Sequence, residues 1–324
     1  MFGAVLARSG LARRTALGGT ALIVGANLPD LDGLAYFAGP AADLAWRRGW
    51  THGVLALCVL PFVLTGLLLL VSKWRRRARP TSDARAVVPR RLLFLSFAAI
   101  LSHPALDTLN TYGVRWLMPF SDRWLYGDAL FIVDPWLWLL LGTGVVWSWL
   151  LRRRRSTAQE LPARLVLCIT MLYVAGMSVS GVLARHTIAR KSEELFNGRV
   201  ARIMAAPIPV TPLTRRFVLE QDSVYRVGMF HWLADPQVDV TSLRSFPRAR
   251  PVHPALTAAE STQVMRRFLS WARYPTFAIQ QIGADSYLVQ VIDLRYAGDS
   301  GRGFGTLRVP ISLPQGSGTG PRAD

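Results

Sequence analysis

Cysteine is almost missing from this chain: Cys58 and Cys168 are its two in 324 residues, and both fall in apolar runs. That scarcity excludes a disulfide framework and a thiolate metal cage, and both side chains read as small buried hydrophobes. Acid is also scarce, with 20 Asp and Glu against 38 Lys and Arg and a net charge of +18. The first 190 residues hold 22 basic and 9 acidic side chains, the remainder 16 and 11. The excess therefore lies mostly in loops beside apolar runs, where it touches anionic lipid, and no nucleic-acid motif accompanies it. No nucleic-acid partner is expected. Residues 15–28 are moderately apolar, yet no Ala-x-Ala-like site follows, so a cleavable signal peptide is not expected. Internal repeats are absent as well.

What the chain has in quantity is apolar sequence, 51% of all residues with a mean hydropathy of +0.26. The apolar residues are grouped into five segments near residues 15–26, 53–72, 92–112, 129–151 and 165–183, several of them close to the ~20 residues that cross a bilayer. The first is short, and residues 34–42 read as its interfacial or re-entrant continuation. Trp50, Trp74 and Trp149 lie near segment ends, as interfacial aromatics do. The basic loops at residues 73–91 and 152–164 belong on the cytoplasmic side. Segment one then runs outward and segment five delivers the tail to the outer face. The fold class expected is mainly α: a multi-pass transmembrane bundle over residues 1–188, then a small extramembrane α+β domain over 189–313 and a disordered tail over 314–324. Within that domain, 217–232, 276–296 and 304–311 read as strands, with turns at 283–285 and 297–301. Residues 258–273 read as one helix.

The polar residues inside this apolar frame carry the chemistry. Asp30 and Asp32 flank one residue in Asn27-Leu28-Pro29-Asp30-Leu31-Asp32. His52 follows Thr51, and His103 and Asp107 are four apart. Charges at membrane depth are costly unless compensated, and one divalent cation would compensate all of these. The expected topology puts them all on the outer side, with Asp122, Asp128 and Asp134 nearby. In an extended or turn conformation both Asp30 and Asp32 reach one cation. A helix puts His103 and Asp107 on one face, although Pro104 predicts a kink or restart there. Thr108 and Thr111 would add hydroxyls to the same polar cavity. Carboxylate oxygen with imidazole nitrogen suits Zn, Mn or Fe better than Mg. Such an ion lowers the pKa of a water, and a carboxylate not touching it can serve as general base.

Each piece also has a plainer reading. Pro-Asp-x-Asp is often a cap or turn, His52 an interfacial residue, and His-x-x-x-Asp a structural hydrogen bond. Arg47 and Arg48 could steer an anionic substrate or contact lipid headgroups. Asp128 and Asp134 could cap segment four or pair with Arg115 or Arg123. His186, His231 and His253 lie outside the motif region and read as ordinary polar residues.

Leu28-Pro29-Asp30-Leu31-Asp32, Arg48-Gly49-Trp50-Thr51-His52 and His103-Pro-Ala-Leu-Asp107-Thr-Leu-Asn-Thr-Tyr-Gly113, followed by Met118-Pro119-Phe120, resemble the YdjM/YbcI type of bacterial inner-membrane protein. That family, also described as LexA-binding, is assigned a metal-dependent hydrolase activity. The resemblance covers roughly residues 1–150. It implies a multi-pass protein of the bacterial inner membrane, with metal ligands Asp30, Asp32, His52, His103 and Asp107 and catalytic residues Asp32, His103 and Asp107. Family members usually carry a Thr-His pair in a first amphipathic helix. This sequence opens at Met1-Phe2-Gly3-Ala4 without it, which leaves either a start upstream or one ligand fewer.

Two functions are therefore in play. One is a membrane-bound metal-dependent hydrolase acting near the outer face on a phosphoester or lipid-linked substrate, with membrane lipids as its surroundings. The other is a non-enzymatic scaffold or binding protein with a structural polar cluster and a partner-binding outer domain.

Overall fold

The helical half of this computed structural model is built from short helices that position the polar motifs and long ones that frame them. Residues 1–78, 86–196, 200–296 and 304–313 are described. The expected tail at 314–324, the turn at 297–301 and the loop residues Arg79, Asp83 and Arg85 fall outside them.

Helices α1 (Phe2–Arg8) and α2 (Gly18–Gly25) precede a 3-10 run, Leu28–Ala38, and α3 (Pro40–Trp46). Then come α4 (Val54–Ala78), α5 (Pro89–Thr108), α6 (Pro135–Arg153) and α7 (Leu161–Phe196). Eight residues of helix rise only ~12 Å, so α2 by itself does not span a bilayer. It nevertheless runs alongside α5. The Val88 N–H donates to Thr15 Oγ1 at one end, and His103 Nδ1 meets Ala26 O at the other. Gly25 makes this closeness possible: a Cβ there would lie 2.9 Å from that of Ala99. Leu22, Leu64, Leu92, Leu95 and Ile100 fill the seam between α2, α4 and α5. A second cluster joins α1, α6 and α7 through Val5, Leu141, Ala163 and Val166.

Among the described residues two helices are long and apolar enough to cross a membrane, Val54–Arg77 and Leu161–Phe196, where the sequence predicts five crossings. The difference has a compositional cause. Helix α5 begins with Arg90 and Arg91 and carries His103, Pro104 and Asp107, while α6 is diluted by two glycines and four tryptophans. The outward faces are apolar, as in Phe62, Leu70 and Leu172 at 65%, 64% and 73% exposure. Cys58 and Cys168 belong to these outward faces, so the expectation that they are buried is corrected.

The β half contains strands β1 (Val200–Pro207), β2 (Thr214–Gln221), β3 (Val224–His231) and β4 (Val238–Pro247) in the order β1-β2-β3-β4, and a second, three-stranded sheet. Strands β3 and β4 pair antiparallel, with a register shift between Val227 and Met229. Strands β5 (Pro275–Gln281), β6 (Ser286–Asp293) and β7 (Thr306–Ser312) are antiparallel neighbours, joined for the first pair by the expected turn at 283–285. The single helix expected over 258–273 is two, α8 (Pro254–Ser261) and α9 (Gln263–Trp271). Thr262 leaves the helical region at ψ 146° and its hydroxyl accepts from the Met265 N–H, so the chain restarts with a side-chain cap. The sequence reading did not foresee β1 and β4.

By packing, the chain divides into two units. One comprises Met1–Thr187 with Ala205–Arg216 and His231–Ala234, and the other holds the rest. The first unit takes in Arg215, a fully buried cation held by backbone oxygens. Its guanidinium donates to Met177 O at 2.7 Å and Ala205 O at 3.1 Å. Burial and neighbouring Arg185 push it down to about 10, which still leaves it charged at neutral pH.

Candidate metal centre

Four side chains from three separate stretches converge at the end of α5. Asp30, His52, His103 and Asp107 each offer one ligand atom, and all four atoms lie within 4.8 Å of one another. His52 Nε2 is 3.4 Å from Asp107 Oδ2, His103 Nε2 is 3.5 Å from the same oxygen, and His103 Nε2 is 3.3 Å from Asp30 Oδ1. Helix α5 runs unbroken through Pro104, so the expected restart does not occur and the four-residue spacing of His103 and Asp107 acts directly.

The hydrogen bonds behind the two rings fix their chemistry. His103 Nδ1 lies 2.7 Å from Ala26 O. A carbonyl can only accept, so the ring hydrogen sits on Nδ1. His52 Nδ1 lies 3.2 Å from Asp32 Oδ2 and 3.0 Å from Thr51 Oγ1, and that hydroxyl already donates to Asp32 Oδ2 at 3.1 Å. His52 Nδ1 therefore carries its hydrogen too. Both rings point Nε2 toward Asp107. None of His52 Nε2, His103 Nε2 and Asp107 Oδ2 has a hydrogen-bond partner, although all three atoms are buried.

A shared proton fits this geometry poorly, because 3.3–3.5 Å is long for an N–H···O bond. A metal fits these three separations, within a group of four atoms that lie up to 4.8 Å apart. Ligands at 2.0–2.1 Å in a tetrahedron stand about 3.4 Å apart. Two imidazole nitrogens and two carboxylates suit Zn, Mn or Fe, and the two buried Nε2 atoms without a hydrogen-bond partner are what such an ion would satisfy.

Asp32 is placed differently from its expected role. It does not belong to the group of four. Of the extended or turn conformations expected, residues 28–38 take the turn-like one, a 3-10 run, and at three residues per turn side chains two apart point to different sides. Asp30 faces the centre. Asp32 is buried behind His52 and accepts from the Arg48 N–H at 2.6 Å, from Thr51 and from the ring. That is the place of a carboxylate that orients a ligating histidine. Asp32→Asn is expected to weaken metal affinity ~10–100-fold, with occupancy recovered at higher metal concentration. Titration with Zn against a chelating dye checks this, and complete loss at every concentration would make Asp32 a ligand.

The segment leading to His52 is held from the side. Arg115 donates to Ala45 O at 2.7 Å and Arg47 O at 3.0 Å, and its guanidinium lies 4.8 Å over the Trp124 ring. Gly49 is required beneath it, since a Cβ would lie 2.5 Å from the Arg115 guanidinium. Arg48, at φ 50°, turns its side chain into the centre. Its Nε is 3.1 Å from Asp107 Oδ2 and its Nη1 donates to Asn110 Oδ1 at 2.8 Å. Arg47 pairs instead with Asp43 at 2.6 Å. Asn110 stands in the resemblance motif, but neither spacing nor residue type assigned it a role. Thr108 does not open on the cavity as expected, because its hydroxyl donates to Pro104 O and accepts from Trp116 Nε1. Asp134 caps α6 by accepting from the Leu137 N–H and takes the Tyr173 hydroxyl, and Asp122 pairs with Arg115. Among the outlying histidines, His253 Nδ1 caps α8 and His231 meets Thr214.

Outward apolar helices around a converging His and Asp group define a membrane protein with a candidate metal centre. Residues 1–184 match the family model described as YdjM inner membrane protein, over half of the chain, and the chain belongs to that family. This bears out the resemblance carried by the three motifs. The uncharacterized protein YfhP of Bacillus subtilis (strain 168) is 23% identical over 278 residues, which cover 85% of this chain and 76% of that relative. No solved structure matches the chain significantly.

Proposed function

We propose that the protein is a membrane-bound metal-dependent hydrolase with its centre near the outer face of the membrane, acting on a phosphoester or lipid-linked substrate. The observation that carries the reading is the pair of histidines whose Nδ1 atoms are committed to acceptors and whose buried Nε2 atoms converge, unpartnered, on Asp107. Asp30, His52, His103 and Asp107 would hold the ion, and Asp32 would orient His52. When bound, a divalent ion would supply Lewis-acid polarisation and an activated water at neutral pH. Asp30, with its side chain 63% exposed, is the ligand open to solvent.

Crossings by α5 and α6 in addition to α4 and α7 complete this reading as a multi-pass protein. The basic ends Arg75–Arg77 of α4 and Arg152–Arg153 of α6 support a cytoplasmic side opposite the centre. The sheet-bearing C-terminal half then lies on the periplasmic or extracellular side, and membrane lipids are the immediate neighbours.

The test is hydrolysis of a panel of phosphomonoesters, phosphodiesters and carboxylic esters by detergent-purified protein with Zn, Mn or Fe added. Turnover that EDTA abolishes and that His103→Ala lacks is expected. Stoichiometric metal with no turnover of any class would favour the non-enzymatic alternative, a scaffold or binding protein with a partner-binding outer domain.

A further inference from the structure

A cavity of about 400 Å³ opens on the metal group, and its two ends differ in kind. One end is polar, with Asp30, His103, Asp107, Arg48 and Asn110. The 131–141 stretch adds Phe131, Ile132, Leu137, Trp138 and Leu141, and its one carboxylate, Asp134, is already taken up by the Leu137 N–H and the Tyr173 hydroxyl. The volume falls within the ~300–1,000 Å³ of small-ligand pockets. A sugar or a nucleobase would leave its polar atoms unpaired against the apolar wall.

The polar end favours an anion. A bound divalent ion and the Arg48 guanidinium together offset Asp30, Asp107 and the Asp32 behind His52, so an anion at this end would meet no net negative charge. Nε and Nη1 of Arg48 are engaged with Asp107 and Asn110, and its face lies 4.8 Å over the Tyr112 ring. Among the described residues its Nη2 has no hydrogen-bond partner. A guanidinium held in one orientation with a donor to spare is suited to a phosphate oxygen.

We infer that this cavity takes an alkyl phosphate, with the phosphate at Arg48 and the metal group and the hydrocarbon chain along Ile132, Leu137 and Trp138. This deepens the hydrolase reading and rests on it for the headgroup end alone. It assigns Arg48 as the residue that binds the anion and the 131–141 stretch as the part that selects for a chain.

The experiment is isothermal titration of full-length, Zn-loaded protein in amphipol with inorganic, methyl, butyl, hexyl and octyl phosphate. Affinity is expected to rise up to about fourfold per methylene along the series, as apolar burial dictates. Leu137→Trp and Ile132→Trp, made separately, should flatten that rise while metal content and affinity for inorganic phosphate stay as in the wild type. Arg48→Met should weaken every member at least tenfold and keep the rise. Equal affinity for methyl and octyl phosphate, or a rise unchanged in both Trp variants, overturns the inference even if the metal is present. A protein without metal that still grades the series, and loses the grading in both Trp variants, upholds the chain slot and overturns the metal-dependent reading instead.

Discussion

His103→Ala is expected to empty the centre of divalent metal, with affinity falling by more than the ~100-fold that loss of a supporting residue produces. The expectation follows from what His103 contributes. Its Nε2 faces both carboxylates, 3.3 Å from Asp30 and 3.5 Å from Asp107, and no other described side chain bridges that pair. Without the imidazole, two carboxylates are left facing one another near Arg48 and His52. Ala26 O also loses the donor that ties α2 to α5 at this end. His103→Gln restores a donor to that carbonyl without an imidazole ligand, so it separates the two effects. Metal lost in both variants is the expected result, measured by competition with a chelating dye on detergent-purified protein. Wild-type affinity in His103→Ala would mean that the ring is a structural hydrogen-bonding group only.

Arg115→Ala is expected to lower stability by about 3–5 kcal/mol, because it withdraws charged hydrogen bonds from buried backbone. The guanidinium is 2% exposed and satisfies Ala45 O and Arg47 O, while its own backbone N–H donates to Arg48 O at 2.9 Å. This clamp fixes the approach to His52, whose N–H donates to Gly49 O at 3.1 Å. A lower thermal transition in detergent, together with metal affinity reduced but measurable, is the expected pattern. Arg115→Lys should recover little, since one ammonium cannot serve the two carbonyls bonded by Nη2, reach Asp122 and cover Trp124 at once. An unchanged transition in Arg115→Ala would show that the segment over 45–53 is held by other contacts.

Much of the centre was legible from residue types alone. His103 and Asp107 stand out because a helical period of four aligns them, and Asp30 and His52 because charge in apolar surroundings demands compensation. Asp32 could not be separated from Asp30 by that reasoning. The separation depends on a 3-10 run whose tighter turn sends alternate carboxylates to different sides, and nothing in Leu28-Pro29-Asp30-Leu31-Asp32 distinguishes such a run from an extended turn. Arg48 was singled out beside Arg47, but its partner Asn110 was hidden, since their meeting joins positions 62 apart through the left-handed backbone of Arg48. Pro104 misled in the opposite direction: propensity argues for a break, and packing on α2 and α4 keeps α5 helical. In the β half, period-two patterning found β2, β3 and β5–β7, but β4 is mostly exposed or half-buried and gives no clean alternation.

The most direct test is elemental analysis of the purified protein combined with X-ray absorption at the edge of the metal found. One divalent ion per chain, with scattering from two imidazoles and oxygen ligands and none from sulfur, is the expected result. No stoichiometric metal, or a coordination shell without imidazole, would contradict the assignment of Asp30, His52, His103 and Asp107 as a metal centre.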